Sequence, residues 1–200
     1  MPTPLAHALA GYALSRHLGG PRARSAVPPP PHGADLPAAA APPGAPPLPA
    51  ARRAAVLIGV AMLPDADLLP GLLLGQRNLL HHGFTHGLPF ALAVAALVGV
   101  IFRHRWGAAR AAGTALAAMG SHILLDMLTG ARLGLHPAYG LALLSPLREG
   151  SVRLPLSLLP GTGPGLLTAR NVAAVATEIV LFGAIALAAA RLARPRGEGA

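Results

Sequence analysis

The sequence predicts an all-α membrane protein, a multispanning helix bundle with about four transmembrane helices and a short N-terminal helix. Two observations lead to this fold class. Hydrophobic residues make up 53% of the 200 residues and charged residues only 12%, a balance typical of multispanning membrane proteins. Apolar segments of near-spanning length also recur along the chain, at 54–74, 87–102, 110–130 and 171–190.

The chain divides by composition into four parts. Residues 1–19 form the N-terminal helix of the membrane domain, which is apolar but too short to span a bilayer. Residues 20–52 are rich in Pro and Ala and cannot build a core, which predicts a disordered cytoplasmic linker. Residues 53–192 form the membrane-embedded domain, and residues 193–200 a disordered cytoplasmic tail.

The first long apolar segment is interrupted twice, by Pro64-Asp65-Ala66-Asp67 and by Pro70-Gly71. Proline removes a backbone donor, and irregular backbone at membrane depth is tolerated where it lines a cavity or is buried in protein. We therefore interpret this break, with its two aspartates, as part of a site. The Gly-, Pro- and Leu-rich segment 131–170 is expected to hold interfacial or re-entrant pieces.

The arginines indicate an orientation. If the C-terminal tail is cytoplasmic, strict alternation of the helices places segments 16–53 and 103–110 on the same side. These three regions carry eleven of the sixteen basic residues, which satisfies the positive-inside rule. The sequence thus predicts a multi-pass protein of the inner (plasma) membrane with a cytoplasmic C-terminus.

Polar residues of different segments are expected at one membrane depth. Asp65 lies twelve residues after Arg53, and His122 twelve after Arg110. At the helical rise per residue, both lie roughly 18 Å from the cytoplasmic edge. The same measure places His7 about 13 Å from that edge. The groups are therefore expected to converge towards the outer leaflet.

Composition excludes two classes of site. All sixteen basic residues are Arg, but they are scattered between apolar segments and accompanied by few aromatics, so we predict no nucleic-acid partner. The chain has no Cys, so a bound metal would take His and carboxylate ligands. Those ligands favour zinc, with manganese or magnesium as alternatives.

Two pairs of residues, one His–Asp and one His–His, have the spacing of metal ligands. His122 and Asp126 are four residues apart on a predicted helix, so they share one face. His82 and His86 have the same spacing, whereas His81 meets His86 only if the Gly83 turn is not helical. A hydrogen-bonded core histidine and an interfacial loop are the structural alternatives for these pairs.

The remaining polar residues of the apolar segments are weaker signals. Asp65 and Asp67 share a face in an extended or turn segment, where one could bind metal while the other orients a histidine. His7 stands alone in an apolar helix. Glu178, in the middle of the last span, is expected to pair with Arg170 or a histidine, or to support the site from a distance.

These residue types predict a hydrolase in which metal-activated water attacks an ester-like bond. The chain lacks a Ser-His-Asp elbow, a Walker loop and a dinucleotide-binding glycine pattern. Two alternatives stay open. The intramembrane His and Asp residues could form an ion or proton path in a transporter, or the metal could be structural in a non-catalytic protein.

Five segments resemble the YdjM-like family of predicted inner-membrane metal-dependent hydrolases: PTPLAHALAG, LPDADLL, HHGFTHG, GSHILLDMLT and YGLALLSPL. They cover roughly residues 1–18 and 54–150, in the order of the family pattern. The chain departs from that pattern at His82, where the family usually has Arg, and in the Pro-rich insertion after residue 19. The motif order is also loosely similar to that of zinc-dependent phospholipase C and P1-type nucleases.

The resemblance implies roles for individual residues. The implied metal ligands are His7, Asp67, His81, His86, His122 and Asp126. The implied catalytic residues are Asp65, Asp67 and Thr85, and His82 is the implied substrate-binding residue. With this resemblance, the expected cofactor is a divalent metal and the expected substrate is a small molecule or lipid, specifically a phosphoester of a lipid or another envelope molecule. The expected location is the bacterial inner membrane.

Overall fold

The computed structural model describes residues 3–18, 48–75, 81–163 and 167–192. Within these ranges the chain is mostly α-helical, with seven α-helices and one two-stranded pairing. The helices are α1 (Pro4–Leu18), α2 (Ala50–Met62), α3 (Leu68–Leu73), α4 (Leu88–Ile101), α5 (Arg103–Trp106), α6 (Ala108–Met127) and α7 (Ala169–Leu192). The predicted linker and tail lie largely outside the described residues, although α2 begins within the predicted linker, at Ala50.

The break in the first apolar segment is helical rather than extended. Leu63–Asp67 forms a 3₁₀ helix that joins α2 directly to α3. Pro64 occupies the start of this segment, where its missing N–H is tolerated. Of the extended or turn conformation predicted for the two aspartates, the structure has a 3₁₀ turn. They do not share a face there, because each residue of a 3₁₀ helix rotates the chain by about a third of a full turn.

The helices pack around α1 and α6. Helix α1 contacts α2, α6 and α7, while α2 and α4 both pack on α6. Small residues dominate the α4–α6 contact, which is built on Ala91, Ala95, Ala111 and Ala115 around Met119. Small side chains let helix backbones approach closely, as is common between membrane helices.

Segment 128–163 is irregular and lies over one end of the bundle. Its strands, β1 (Thr129–Gly130) and β2 (Leu159–Pro160), pair in parallel. Leu88 N–H at the start of α4 donates to the carbonyl of Leu143, which ties this segment to the helices. The chain crosses so closely here that a Cβ on Gly87 would lie 2.6 Å from the carbonyl oxygen of Ser145.

Two helical stretches among the described residues are long and apolar enough to cross a membrane, Ala50–Gly71 and Ala169–Leu192. In the second, only 28% of the apolar window is buried inside the protein, so most of its hydrophobic surface faces outward. Helix α4 is apolar but only 14 residues long, and α6 is not among the two candidates. The first and last of the four predicted spans thus correspond to helices long enough to cross a membrane, whereas the second and third stay predictions.

Helix α1 reaches its position through one close contact with α2. A Cβ on Gly11 would lie 2.8 Å from the carbonyl oxygen of Leu57 and 3.0 Å from the Cβ of Ala61. Gly59, on α2 itself, makes no comparable contact, because a Cβ added there would meet nothing within 4 Å.

We predict opposite effects for alanine at these two glycines. Gly11→Ala should lower the free energy of unfolding by about 1–3 kcal/mol, because the methyl group overpacks against backbone. Gly59→Ala should be neutral or stabilising by up to about 1 kcal/mol, because alanine has the higher helix propensity. Thermal unfolding in detergent measures both, and equal effects would contradict the close α1–α2 approach.

Candidate metal centre

Four elements bring buried His and Asp side chains together at one place. Helix α1 contributes His7, the 3₁₀ helix contributes both aspartates, the turn after residue 80 contributes its histidines, and α6 contributes two residues one turn apart. The imidazoles and carboxylates that meet there are His7, Asp65, Asp67, His81, His82, His86, His122 and Asp126. Residues far apart in sequence therefore converge, as the common membrane depth predicted.

Four of these side chains direct one atom each at a common point. Asp126 Oδ2 lies 3.2 Å from His122 Nε2 and 3.4 Å from His86 Nε2, and the two imidazole nitrogens are 3.3 Å apart. Asp65 Oδ1 lies 3.5 Å from His122 Nε2 and 3.7 Å from His86 Nε2. Tetrahedral zinc, with bonds of about 2.0–2.1 Å, needs ligand atoms roughly 3.3–3.4 Å apart. The three distances among His86 Nε2, His122 Nε2 and Asp126 Oδ2 match this spacing, and the two distances to Asp65 Oδ1 are slightly longer.

The ring of His122 is oriented by backbone. Its Nδ1 lies 2.7 Å from the carbonyl oxygen of Ala61, which can only accept, so Nδ1 carries the proton. In the neutral ring, Nε2 then presents a lone pair to the common point. Pro64, three residues after Ala61, has no N–H and cannot form a 3₁₀-type bond to that carbonyl.

His86 is oriented in the same way by side chains. Its Nδ1 lies 3.3 Å from Asp67 Oδ2 and 3.2 Å from the hydroxyl of Thr85. That hydroxyl donates to the same carboxylate oxygen at 2.7 Å. A carboxylate that accepts from Nδ1–H leaves Nε2 free to bind, which is the usual arrangement behind a metal-binding histidine. Asp67 therefore lies behind His86, outside the four-atom set, although it was among the predicted ligands.

The four side chains differ in their access to solvent. The side chain of Asp65 is 12% exposed, whereas those of His86, His122 and Asp126 are at most 2% exposed. The two distances from the histidine nitrogens to Asp65 Oδ1, 3.5 and 3.7 Å, are also the longest of the five. The arrangement is thus three buried donor atoms in a tight triangle, with Asp65 on the more open side.

His7, a predicted metal ligand, forms a candidate metal-binding group with His122 and Asp126, because one ligand atom of each lies within 4.8 Å of the other two. Its ring stacks on that of His122, with centroids 3.6 Å apart, and its Nε2 lies 3.8 Å from Asp126 Oδ1. Its Nδ1 is buried with no hydrogen-bond partner, and the same holds for Asp126 Oδ2. Buried polar atoms are normally hydrogen-bonded, so unpaired donor atoms at this point fit a bound cation.

The turn at residues 81–83 places a second histidine group beside the first. His81 Nδ1 lies 2.8 Å from Asp67 Oδ1, and the rings of His81 and His82 both lie about 5 Å from the ring of His86. The turn is not helical, which satisfies the condition for His81 to meet His86. Burial lowers the pKa of His82 to about 4, so its ring is neutral at pH 7 and lacks the charge of the arginine usual in the family pattern.

Glu178 lies apart from the centre, and its expected pairing with Arg170 or a histidine is wrong. The carboxylate accepts hydrogen bonds from the backbone N–H of Thr3, at 2.8 Å, and from the hydroxyl of Thr3. Arg170 instead donates to the carbonyl of Gly161 and to the hydroxyl of Tyr139. Glu178 therefore ties the start of α1 to α7.

The structure adds two functional groups that the sequence pattern did not indicate. The carbonyl of Ala61 orients His122, and only the proline three residues later hints that it is available. Thr3 anchors α1 through Glu178, and no spacing rule links residues so far apart. Thr85 was predicted from the family resemblance, and its contacts place it as a positioning residue for Asp67 and His86.

Together these features define a helical, membrane-type protein with a buried His/Asp centre able to hold a divalent cation. The chain belongs to the YdjM inner membrane protein family, whose sequence profile matches residues 1–196. No curated protein and no solved structure matches the chain, so the looser similarity to zinc-dependent phospholipase C and P1-type nucleases finds no support.

Zinc should stabilise the protein through this centre. Ligand that binds only the folded state adds about 2.7 kcal/mol at a hundredfold excess over its dissociation constant. We expect zinc to raise the unfolding temperature of the chelator-treated protein and of a His136→Ala control, whose histidine is exposed. A His122→Ala/Asp126→Ala variant should show a much smaller shift. Equal shifts in all three proteins would argue against the centre.

The hydroxyl of Thr85 should tune metal affinity. Thr85→Val keeps the side-chain shape but removes the group that donates to Asp67 and lies beside His86 Nδ1. Loss of such outer contacts typically weakens metal binding by about 10–100-fold. Thr85→Ser should stay close to the parent protein. Competition with a chromogenic chelator measures both affinities, and an unchanged affinity in the valine variant would contradict the assigned role.

Proposed function

We propose that the protein is a membrane-embedded metal-dependent hydrolase that cleaves a phosphoester of a lipid or another envelope molecule. The observation that carries the proposal is the tight triangle of His86 Nε2, His122 Nε2 and Asp126 Oδ2, open towards Asp65. Catalytic zinc sites characteristically use three protein ligands and keep one position open, whereas structural sites are closed by four.

The two imidazoles and one carboxylate would hold the cation, and zinc suits this donor set best. A cation bound there would lower the pKa of water and stabilise charge on a phosphoryl oxygen. Convergence of these groups at a single point favours a centre of this kind over an ion path, which needs groups distributed along the membrane normal.

Asp65 has the position of a general base. It is the most accessible of the four acidic and imidazole groups at the point of convergence, and its Oδ1 faces both ligand histidines. In the proposed reaction Asp65 accepts a proton from the attacking water, whose oxygen forms a new bond to phosphorus. The ester P–O bond then breaks, and the leaving oxygen takes up the proton that Asp65 accepted, which restores the carboxylate.

An apolar groove supports a substrate that carries an acyl chain. The groove has a volume of about 480 Å³ and lies between α1, α6 and α7. It includes Leu125, next to Asp126 in sequence, and Ala10, one helical turn after His7. A lipid whose head group reaches the centre could therefore place part of its tail along these helices.

The number of membrane spans and the orientation of the chain are also part of the proposal. The family is one of inner membrane proteins, and we propose four spans with the C-terminus in the cytoplasm. The arginine distribution supports that orientation. It would place the metal centre towards the outer leaflet, where envelope lipids and their intermediates are accessible.

Asp65→Asn should separate catalysis from metal binding. With bis(4-nitrophenyl) phosphate and 4-nitrophenyl phosphate as probes, we expect zinc-dependent hydrolysis that the variant lowers by about 10²–10⁴-fold, the usual contribution of a general base. Zinc content should stay that of the parent protein, because the three buried donor atoms are intact. His136→Gln serves as the control with unchanged turnover.

Three results would count against the proposal. The first is hydrolysis that survives chelation, and the second is full activity in Asp65→Asn. The third is the absence of turnover of either ester by the zinc-loaded protein. Zinc that binds tightly and stoichiometrically without any turnover would favour a structural metal instead.

A further inference from the structure

The proposed centre leaves two buried imidazole nitrogens without a function. His81 donates through Nδ1 to Asp67 at 2.8 Å, so its Nε2 carries a lone pair in the neutral ring. That Nε2 is buried and has no hydrogen-bond partner, and the same is true of His82 Nε2. The side chain of His81 is only 3% exposed, so water does not readily satisfy it.

The rings that carry these two nitrogens lie close to each other and to the ring of His86. One ring nitrogen each of His81, His82 and His86 lies within 4.8 Å of the other two. The rings of His81 and His82 have centroids 4.4 Å apart. Imidazole nitrogens are good donors for zinc or a similar transition metal, and only His81 and His82 would supply them here, because His86 Nε2 faces the first centre.

The backbone at His82 supports a role for its side chain. With φ at 65°, His82 is the non-glycine residue with positive φ within the described ranges. This left-handed conformation is unfavourable for residues with a Cβ, and such strain is concentrated at functional sites. In this conformation the imidazole of His82 lies beside those of His81 and His86. A glycine would adopt the same backbone without strain but would provide no side chain there.

We propose that His81 and His82 bind a second divalent cation next to the first, with His86 lying at the edge that the two sites share. The inference rests on the proposed hydrolase centre and makes it a two-metal site. Paired cations stabilise both the attacking and the leaving oxygen of a displacement at phosphorus, so a phosphoester is the substrate class that fits. Asp67 holds His81 and His86 from behind and so positions both sites.

Zinc stoichiometry of the full-length protein tests this assignment. Protein treated with chelator is equilibrated with buffered free zinc, and bound zinc per chain is measured by mass spectrometry. We expect two zinc ions per chain in the parent protein and in His136→Gln. A His81→Gln/His82→Gln variant should keep one, held at His86, His122 and Asp126.

His82→Gly separates a ligand role from a purely structural one. Glycine adopts the left-handed conformation without strain, so the zinc-free variant should unfold at the same temperature as the parent or a higher one. Its affinity for the second zinc should nevertheless fall by at least tenfold. A structural role for the imidazole would instead lower the unfolding temperature and leave zinc binding unchanged.

Each remaining outcome overturns a defined part of the assignment. One zinc per chain in the parent protein, lost on substitution of His122, removes the second site and leaves the first. Two zinc ions retained in the His81→Gln/His82→Gln variant place the second cation elsewhere. Loss of all zinc from that variant shows a single site, and no zinc in the parent protein overturns both centres.

Discussion

The burial of unpaired imidazole nitrogens and carboxylate oxygens beside one another is the constraint on which the rest of this structure depends. Each such group costs several kcal/mol in an apolar environment unless a partner or cation satisfies it. Three histidines share one arrangement. In His81, His86 and His122, Nδ1 contacts an oxygen atom of the protein and Nε2 is the nitrogen left for a cation. The fixed Nδ1 contacts of His86 and His122 thus orient Nε2 of both rings towards the first candidate centre.

Close contacts between the helices position these side chains. Gly11 lets α1 lie against α2, so that His7 reaches His122, and the 3₁₀ helix presents its two aspartates to different partners. The Ala-rich contact of α4 with α6 brings the residue-81 turn over the face that carries His122 and Asp126. Small residues at the contacts thus determine distances between ligands that belong to four separate elements.

Much of this site could be predicted from residue type and spacing, because one helical turn separates His122 from Asp126 and few polar groups occur in the apolar segments. The division of labour between Asp65 and Asp67 could not, since it depends on a 3₁₀ turn that no simple periodicity encodes. The partner of Glu178 was also out of reach, because Thr3 is 175 residues away. Spans were predictable where hydropathy is high, and less so in α6, whose polar residues dilute the signal.

The hydrogen bonds between Thr3 and Glu178 have a consequence for biogenesis. They join α1 to α7, so they cannot form until the chain has been synthesised through Glu178. Contacts between such distant residues are slow to form because the intervening chain must be ordered first. Helix α1 therefore leaves the ribosome before the other elements of the centre, yet this anchor forms only after α7 has been made, and its histidine is fixed in place late in assembly.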